Sequence, residues 1–374
     1  MAFIPRKIQS EVENWLFKGK VLIIYGARQV GKTTLVRSLI QGKEESSLYL
    51  NCDEQDVRFA LSDKTSTQLK DFIGNKKLVV IDEAQRVTNI GITLKLLVDN
   101  FPEIQVIATG SSSFDLSNNV KEPLTGRKIE FTLFPFSVEE LLARESPIEN
   151  TRLLPNRLIY GSYPGVVLSS SKEILLREIS ETYLYKDLLE LQTIRNPDLL
   201  RKLLQALALQ IGSEVSYTEL GSLLNLDKGT VERYIRLLIQ TNVIFELPPF
   251  KNNLRNTLGR LRKIYFCDLG IRNTVINNFN PLELRADIGP LWENFYILER
   301  LKFHRNRLHF PNTYFWRDYS KAEIDYLEES NGQMRAFECK WSAESARLPK
   351  AFSDHFPQVQ LELVNRNNYL KTLT

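Results

Sequence analysis

Of 374 residues only three are cysteines, Cys52, Cys267 and Cys339, and they have neither the pairing of a disulfide framework nor the close spacing of a zinc site. The chain also lacks any apolar run of about 18 residues and any signal-peptide pattern, which argues against a membrane partner and for a reducing, cytoplasmic setting. Internal repeats, low-complexity tracts and long linkers are missing too, so the length predicts two or three packed domains. Charge of one sign is in short supply: 49 Lys+Arg against 45 Asp+Glu leave +4, which permits nucleic-acid binding without demanding it.

What is present is concentrated in residues 21–34, VLIIYGARQVGKTT. An apolar strand runs into Gly26, Ala27, Arg28, Gln29, Val30, Gly31, Lys32, Thr33 and Thr34, which satisfies G-x-x-x-x-G-K-[ST] at every fixed position. Gly26 and Gly31 let backbone N–H groups close on a phosphate chain. Lys32 reaches the β/γ oxygens, Thr33 holds Mg²⁺, and the following helix adds its N-terminal dipole. These residues predict ATP and Mg²⁺ as cofactors. About fifty residues after Lys32, the apolar strand in KLVVIDEAQ (77–85) ends in Asp82 and Glu83. Asp82 is placed to hold Mg²⁺ through water, and Glu83 to polarise the attacking water. A strand is expected at 47–51, another at 104–109 leading into the serines 111–113, and a fifth at 128–133 after Leu124–Arg127 (LTGR). Ser111 is a candidate for the γ-phosphate or the attacking water, although the run reads equally as a plain turn. Arg127 is a candidate arginine finger, acting in trans within a homo-oligomer, against the plainer reading of a solvated charge.

GARQVGKT, LVVIDEAQ, TGSSS, LTGR and LFPFSVEEL, in that order, resemble the prokaryotic AAA-type ATPases that carry a C-terminal domain of unknown function numbered 4143. The resemblance spans most of the chain. It implies a P-loop ATPase whose sheet has an extra strand between the two nucleotide motifs, matching the strand expected at 47–51, and it implies no settled substrate.

Beyond a helical connector at 146–197, which includes a helix predicted over 172–191, the pattern from Asp198 predicts a winged helix. Helices are expected over 198–211, 216–224 and 228–241, with Asp227 capping the third, and strands over 243–247 and 263–267. Lys228, Thr230, Arg233 and Arg236 on the third helix face solvent. With Lys251, Arg255, Arg260, Arg262 and Lys263 of the basic loop they make DNA the expected partner. Glu232 and the absence of interleaved aromatics leave a protein partner open. Finally, Glu293 on an apolar, aromatic helix, Asp325 on a strand and Glu338-x-Lys340 on the next resemble a restriction-endonuclease-like core. Asn331-Gly332 predicts a two-residue turn that sets Ser330 against Gln333, and hence Asp325 against Glu338. The expected metal ligands are Glu293, Asp325 and Glu338, with Lys340 catalytic and Glu323 paired to Lys340. On that register Ile324, Tyr326, Phe337 and Cys339 share the apolar face.

The expected fold class is therefore α/β, with a P-loop ATPase domain at 1–145, the connector, a winged-helix domain at 198–267 and a nuclease-like domain at 268–374. The expected function is an ATP-hydrolysing, DNA-associated protein whose nucleotide state controls its C-terminal region. The rival is an ATP-dependent switch or scaffold with an inactive nuclease-like core. No separate helicase motifs follow the second nucleotide motif.

Overall fold

In the computed structural model the uninterrupted apolar run Val21–Tyr25 is strand β1, buried at every position. The structure describes residues 3–110, 123–182, 197–250 and 261–373. Two compact units divide it, one of Met1–Pro135 with Gln240–Asn242 and Arg305–Leu308, the other of the remaining residues.

In the first unit, helix α1 (Ile8–Asn14) leads into β1, and α2 (Lys32–Ile40) follows the Gly-rich loop. Then come β2 (Ser47–Asn51), α3 (Gln55–Leu61), α4 (Ser66–Ile73), β3 (Leu78–Asp82), α5 (Ile90–Asn100), β4 (Gln105–Gly110) and β5 (Lys128–Thr132). All five strands run parallel in the order β2-β3-β4-β1-β5. Parallel strands need cover on both faces, and β1, β3 and β4 are buried throughout. The strand standing between β1 and β3 is β4. Ser47–Asn51 lies between the nucleotide motifs in sequence only, and in the sheet it is the edge strand beside β3.

In the second unit, α6 (Pro147–Tyr160) begins at a capping box, Ser146 accepting from the Glu149 amide while Glu149 reaches back to the Ser146 amide. It carries Pro155 in its interior. Helix α7 covers Lys172–Ile179, and residues 183–191 of the longer helix expected there lie outside the described residues. Three helices follow, α8 (Pro197–Leu209), α9 (Tyr217–Leu224) and α10 (Lys228–Gln240). Asp227 accepts from the Thr230 amide at 2.9 Å, the cap its position calls for. Strands β6 (Glu214–Val215), β7 (Ile244–Leu247) and β8 (Arg262–Phe266) form an antiparallel sheet with β8 in the middle.

After α11 (Leu269–Val275) and the long helix α12 (Ile288–Arg305), a mixed sheet has the order β12-β11-β10-β9. Its strands are β9 (Asn312–Arg317), β10 (Glu323–Ser330), β11 (Gln333–Cys339) and β12 (Leu361–Val364), with β12 parallel to β11 and the other neighbours antiparallel. The hairpin is as expected: Ser330 opposes Gln333, and Asn331 and Gly332 have φ of 51° and 75°. The expected side-chain alternation, however, fails along β10. Pairing with β9 slips by one residue between Ile324 and Leu327, a bulge that re-aims Asp325 and Tyr326. Ile324 therefore packs with Leu327, Ala336 and Phe352, whereas Tyr326, Phe337 and Cys339 pack on the other side with Trp292 and Tyr296 of α12.

Candidate functional site

The loop after β1 has little room. A Cβ on Gly26 would lie 2.4 Å from the Leu133 carbonyl oxygen, and Gly31 sits at φ +98° as the residue before α2. Only glycine meets both conditions without displacing the backbone. Lys32 is buried, and its ammonium donates to the carbonyls of Gly26 and Ala27, both at 2.9 Å. Thr33 donates to Asp82 Oδ2 at 2.8 Å, which brings the two expected Mg²⁺ holders together from the first turn of α2 and the end of β3. Thr34 is exposed on the first turn of α2, and exposed Gln29 takes a left-handed φ of 60°.

Three residues that sequence reasoning passed over complete this site. Tyr49, on β2, donates its hydroxyl to Asp82 Oδ2 at 2.5 Å, while the Arg37 guanidinium lies 5.0 Å over its ring. Thr109, at the end of β4, donates to Asp82 Oδ1 and accepts from the Glu83 amide at 3.1 Å. Arg6, buried before α1, donates to the Val30 carbonyl at 2.7 Å and the Phe134 carbonyl at 2.6 Å, bracing the loop from behind. Each pairing depends on strand order or on a distant segment, so no local motif announces it. Burial is the first reason the Tyr49 hydroxyl is pushed up to about 12, with Asp82 adding to it. Glu83 adopts a left-handed backbone, φ 54° and ψ 42°, and its carboxylate accepts from Gln85 Nε2 at 2.6 Å.

These residues fit a magnesium nucleotide. The glycine cradle leaves space that a Cβ would fill, Lys32 stands beneath it, and Asp82 is held by three hydroxyls. A bound nucleotide would lie on residues 26–34, with the metal held by Thr33 and Asp82. Arg127 is not brought to this site. It ends the segment entering β5, beside the start of β1 and so at the other end of the strands from the loop, its carbonyl accepting from the Val21 amide and its guanidinium 2.6 Å from Asp99. Ser111 lies outside the described residues.

The second unit gathers carboxylates differently. Oxygens of Glu293, Glu323 and Asp325 all lie within 4.8 Å of one another, so Glu323 takes the place in this group expected of Glu338. Between Glu293 and Glu323 sits the ammonium of Lys263, 2.8 Å from Glu293 Oε1 and hydrogen-bonded to Glu323 Oε1. The expected surface role of Lys263 is thus corrected: its side chain is only 2% exposed. The expected Glu323–Lys340 pair does not form either. Glu323 meets Lys263 and Arg317, while Lys340 lies 2.7 Å from Glu338 and 3.7 Å from Asp325. Both outcomes follow from the bulge, which carries Asp325 back against β11, where it accepts from the Cys339 amide at 2.8 Å.

Tyr265, two residues along β8 from Lys263, donates to the same Glu293 oxygen at 2.6 Å. Burial pushes Glu293 up to about 7 even so. Burial alone would lower Lys263, but Glu293, Glu323 and Asp325 outweigh it and hold the ammonium above its ordinary value. Of the other expected cations, Lys228, Arg233 and Arg236 are exposed on α10, Arg236 is paired with Glu232 at 3.1 Å, and Arg262 is paired with Glu246 at 2.7 Å. Lys251, Arg255 and Arg260 lie outside the described residues.

Parallel-sheet order and loop geometry define a P-loop ATPase fold in the first unit, and comparison with known proteins agrees. Residues 18–142 match the family model described as an AAA domain, residues 151–282 a domain of unknown function (DUF8612), and residues 288–370 a domain of unknown function (DUF4143). The chain thus carries an AAA-type P-loop ATPase domain together with a DUF4143 domain. An uncharacterized protein of Mycobacterium tuberculosis is 28% identical over 343 residues, covering 90% of this chain and 73% of its own length. An uncharacterized protein of Methanocaldococcus jannaschii is 27% identical over 345 residues, covering 86% and 74%. Among solved structures, a Walker-type ATPase of Pyrococcus abyssi superposes with a TM-score of 0.53 at 18% identity, over 73% of this chain and 96% of that one, a likeness of fold. Among the described residues no helix is long and apolar enough to cross a membrane.

Proposed function

We propose that this protein is a Mg²⁺-dependent ATP hydrolase associated with DNA, in which the nucleotide state of the first unit controls the second. The observation carrying the ATPase reading is the meeting of Thr33, Asp82 and Glu83 beside the glycine cradle. Lys32 holds phosphate oxygens, Thr33 and Asp82 hold the metal, and Glu83 orients and deprotonates water. Exposed Lys228, Arg233 and Arg236 on α10 support DNA contact, with the three helices and β6–β8 serving as a winged helix. The test is ATP turnover with and without duplex, single-stranded or branched DNA across a salt series. DNA-stimulated turnover with a steep salt dependence supports the reading, and the double variant Arg233→Ala, Arg236→Ala is expected to lower the salt slope by up to about two. Turnover indifferent to DNA overturns it in favour of a protein partner.

One observation favours a second reading of the C-terminal region. The carboxylates that would hold metal in a nuclease-like core already hold Lys263. On this reading the core keeps the arrangement of a nuclease without its metal chemistry, and serves as a binding or regulatory module.

A further inference from the structure

A restriction-endonuclease-like core implies a divalent cation between its carboxylates, and here the residues do not fit one. Lys263 comes from β8, the middle strand of its sheet, with Glu214 and Leu247 in register on either side. Its backbone is thus pinned from both neighbours. The side chain passes the buried ring of Phe315, whose centroid is 5.5 Å from the ammonium. It ends on Glu293 and Glu323, two of the three residues whose oxygens are close enough to share an ion. Tyr265 fills a further bonding position on Glu293.

Cations already stand among these carboxylates: Lys263 on Glu293 and Glu323, Lys340 on Glu338 and Asp325, and Arg317 3.8 Å from Glu323 while it holds Glu214 at 3.0 Å. A divalent ion would first have to displace an ammonium that is 2% exposed and already bonded to two of the three carboxylates. Lys340, the lysine of the E-x-K pattern, does not do this work, because it lies on Glu338 and Asp325.

We propose that Lys263 is the resident cation of this cluster, standing where the metal of a nuclease core would stand, so that the native protein binds no divalent metal there. The proposal rests on the second reading above, the metal-free core. Because β8 is a central strand, the ammonium is a permanent fixture of the fold. Removing it leaves Glu293, Glu323 and Asp325 as three convergent oxygen ligands, the donor set that Mn²⁺ and Mg²⁺ prefer.

The test counts Mn²⁺ bound to the nucleotide-free full chain from the loss of the free-ion electron paramagnetic resonance signal. Four proteins are compared: the native chain, Lys263→Met, Glu323→Gln and the double variant. Lys263→Met is expected to gain one Mn²⁺ per chain, bound at least tenfold more tightly than any site in the native chain, and the double variant to lose it. A native Mn²⁺ site that Glu323→Gln abolishes overturns the proposal, as does folded Lys263→Met with no added ion. Should Lys263→Met fail to fold, the native chain and Glu323→Gln still decide: equal Mn²⁺ counts support a metal-free cluster, and a count lowered by the substitution refutes it. The count involves neither DNA nor ATP turnover, so its failure and failure of the DNA-associated ATPase reading are separate results.

Discussion

The two units each gather charged side chains, and they partner their carboxylates in opposite ways. In the first, Lys32 donates to the backbone carbonyls of Gly26 and Ala27, and Asp82 is held by the hydroxyls of Thr33, Tyr49 and Thr109. Neutral hydroxyls fix the Asp82 carboxylate in position without cancelling its charge, which leaves its field for a bound cation. In the second, lysine and carboxylate meet directly: Lys263 with Glu293 and Glu323, Lys302 with Glu299, and likewise Arg300 with Glu328. A charge matched inside the protein stabilises one arrangement and does little for a ligand. Proximity of catalytic residue types is therefore weak evidence of activity until their partners are known.

The comparison breaks most visibly at the nucleotide site. Lys32→Ala is expected to lower ATP affinity by roughly a hundredfold or more, whereas Glu83→Gln should keep affinity within a few-fold and lower kcat by at least about a hundredfold. Equilibrium binding of a fluorescent ATP analogue and single-turnover phosphate release separate the two roles. Equal loss of affinity in both variants would mean that Glu83 holds nucleotide and does not act on water.

In the second unit the corresponding substitution should act on stability. Lys263→Met leaves the partly buried Glu293 and Glu323 and the buried Asp325 uncompensated and is expected to cost about 3 kcal/mol, read from urea unfolding of that unit. A change under about 1 kcal/mol would show that the carboxylates relax into water or protonate easily.

Asp268 sharpens the contrast through pH. Burial raises its carboxyl from 3.8 to about 6, even though the Ser162 and Ile271 amides donate to it. The folded state thus holds its proton more tightly than the unfolded chain. The stability this contributes is complete below the unfolded value of 3.8 and is lost as pH rises through about 6, a change of about 3 kcal/mol. Asp268→Asn should flatten unfolding of the second unit across that window. A wild-type slope unchanged by the substitution would assign the titration to another group.

Tyr49→Phe tests whether hydroxyl partners matter at Asp82. Loss of one hydrogen bond to a carboxylate predicts a several-fold higher Mg²⁺ requirement for turnover with ATP affinity retained, about 1–2 kcal/mol. An unchanged Mg²⁺ profile would make Tyr49 a packing residue. The smallest effect is expected at Arg127, whose pair with Asp99 is exposed: Arg127→Ala should change stability by less than about 1 kcal/mol. Mixing it with Glu83→Gln protein tests a role in trans, and no recovery of turnover at any ratio would exclude one.

The sequence by itself determined what is local. The strand-loop-helix of residues 21–40, Asp82 and Glu83 at a strand end, the Asp227 cap and the Asn331-Gly332 turn all follow from neighbours along the chain, where backbone sterics and short-range hydrogen bonds dominate. Helix α6 was less legible, because Pro155 in its interior resembles a break while its capping box lies a turn and more upstream. Only the tertiary structure decided the rest. The position of β2 at the sheet edge brings Tyr49 to Asp82, and parallel pairing of β5 with β1 puts Arg127 beside Val21, at the end of the strands away from the nucleotide loop. A single extra residue in β10 moved Asp325, freed Glu323 from Lys340 and opened the place that Lys263 fills from another sheet. Side-chain alternation carries a register prediction only until the first bulge, and electrostatic partners across sheets are chosen by three-dimensional packing, which no spacing along the chain encodes.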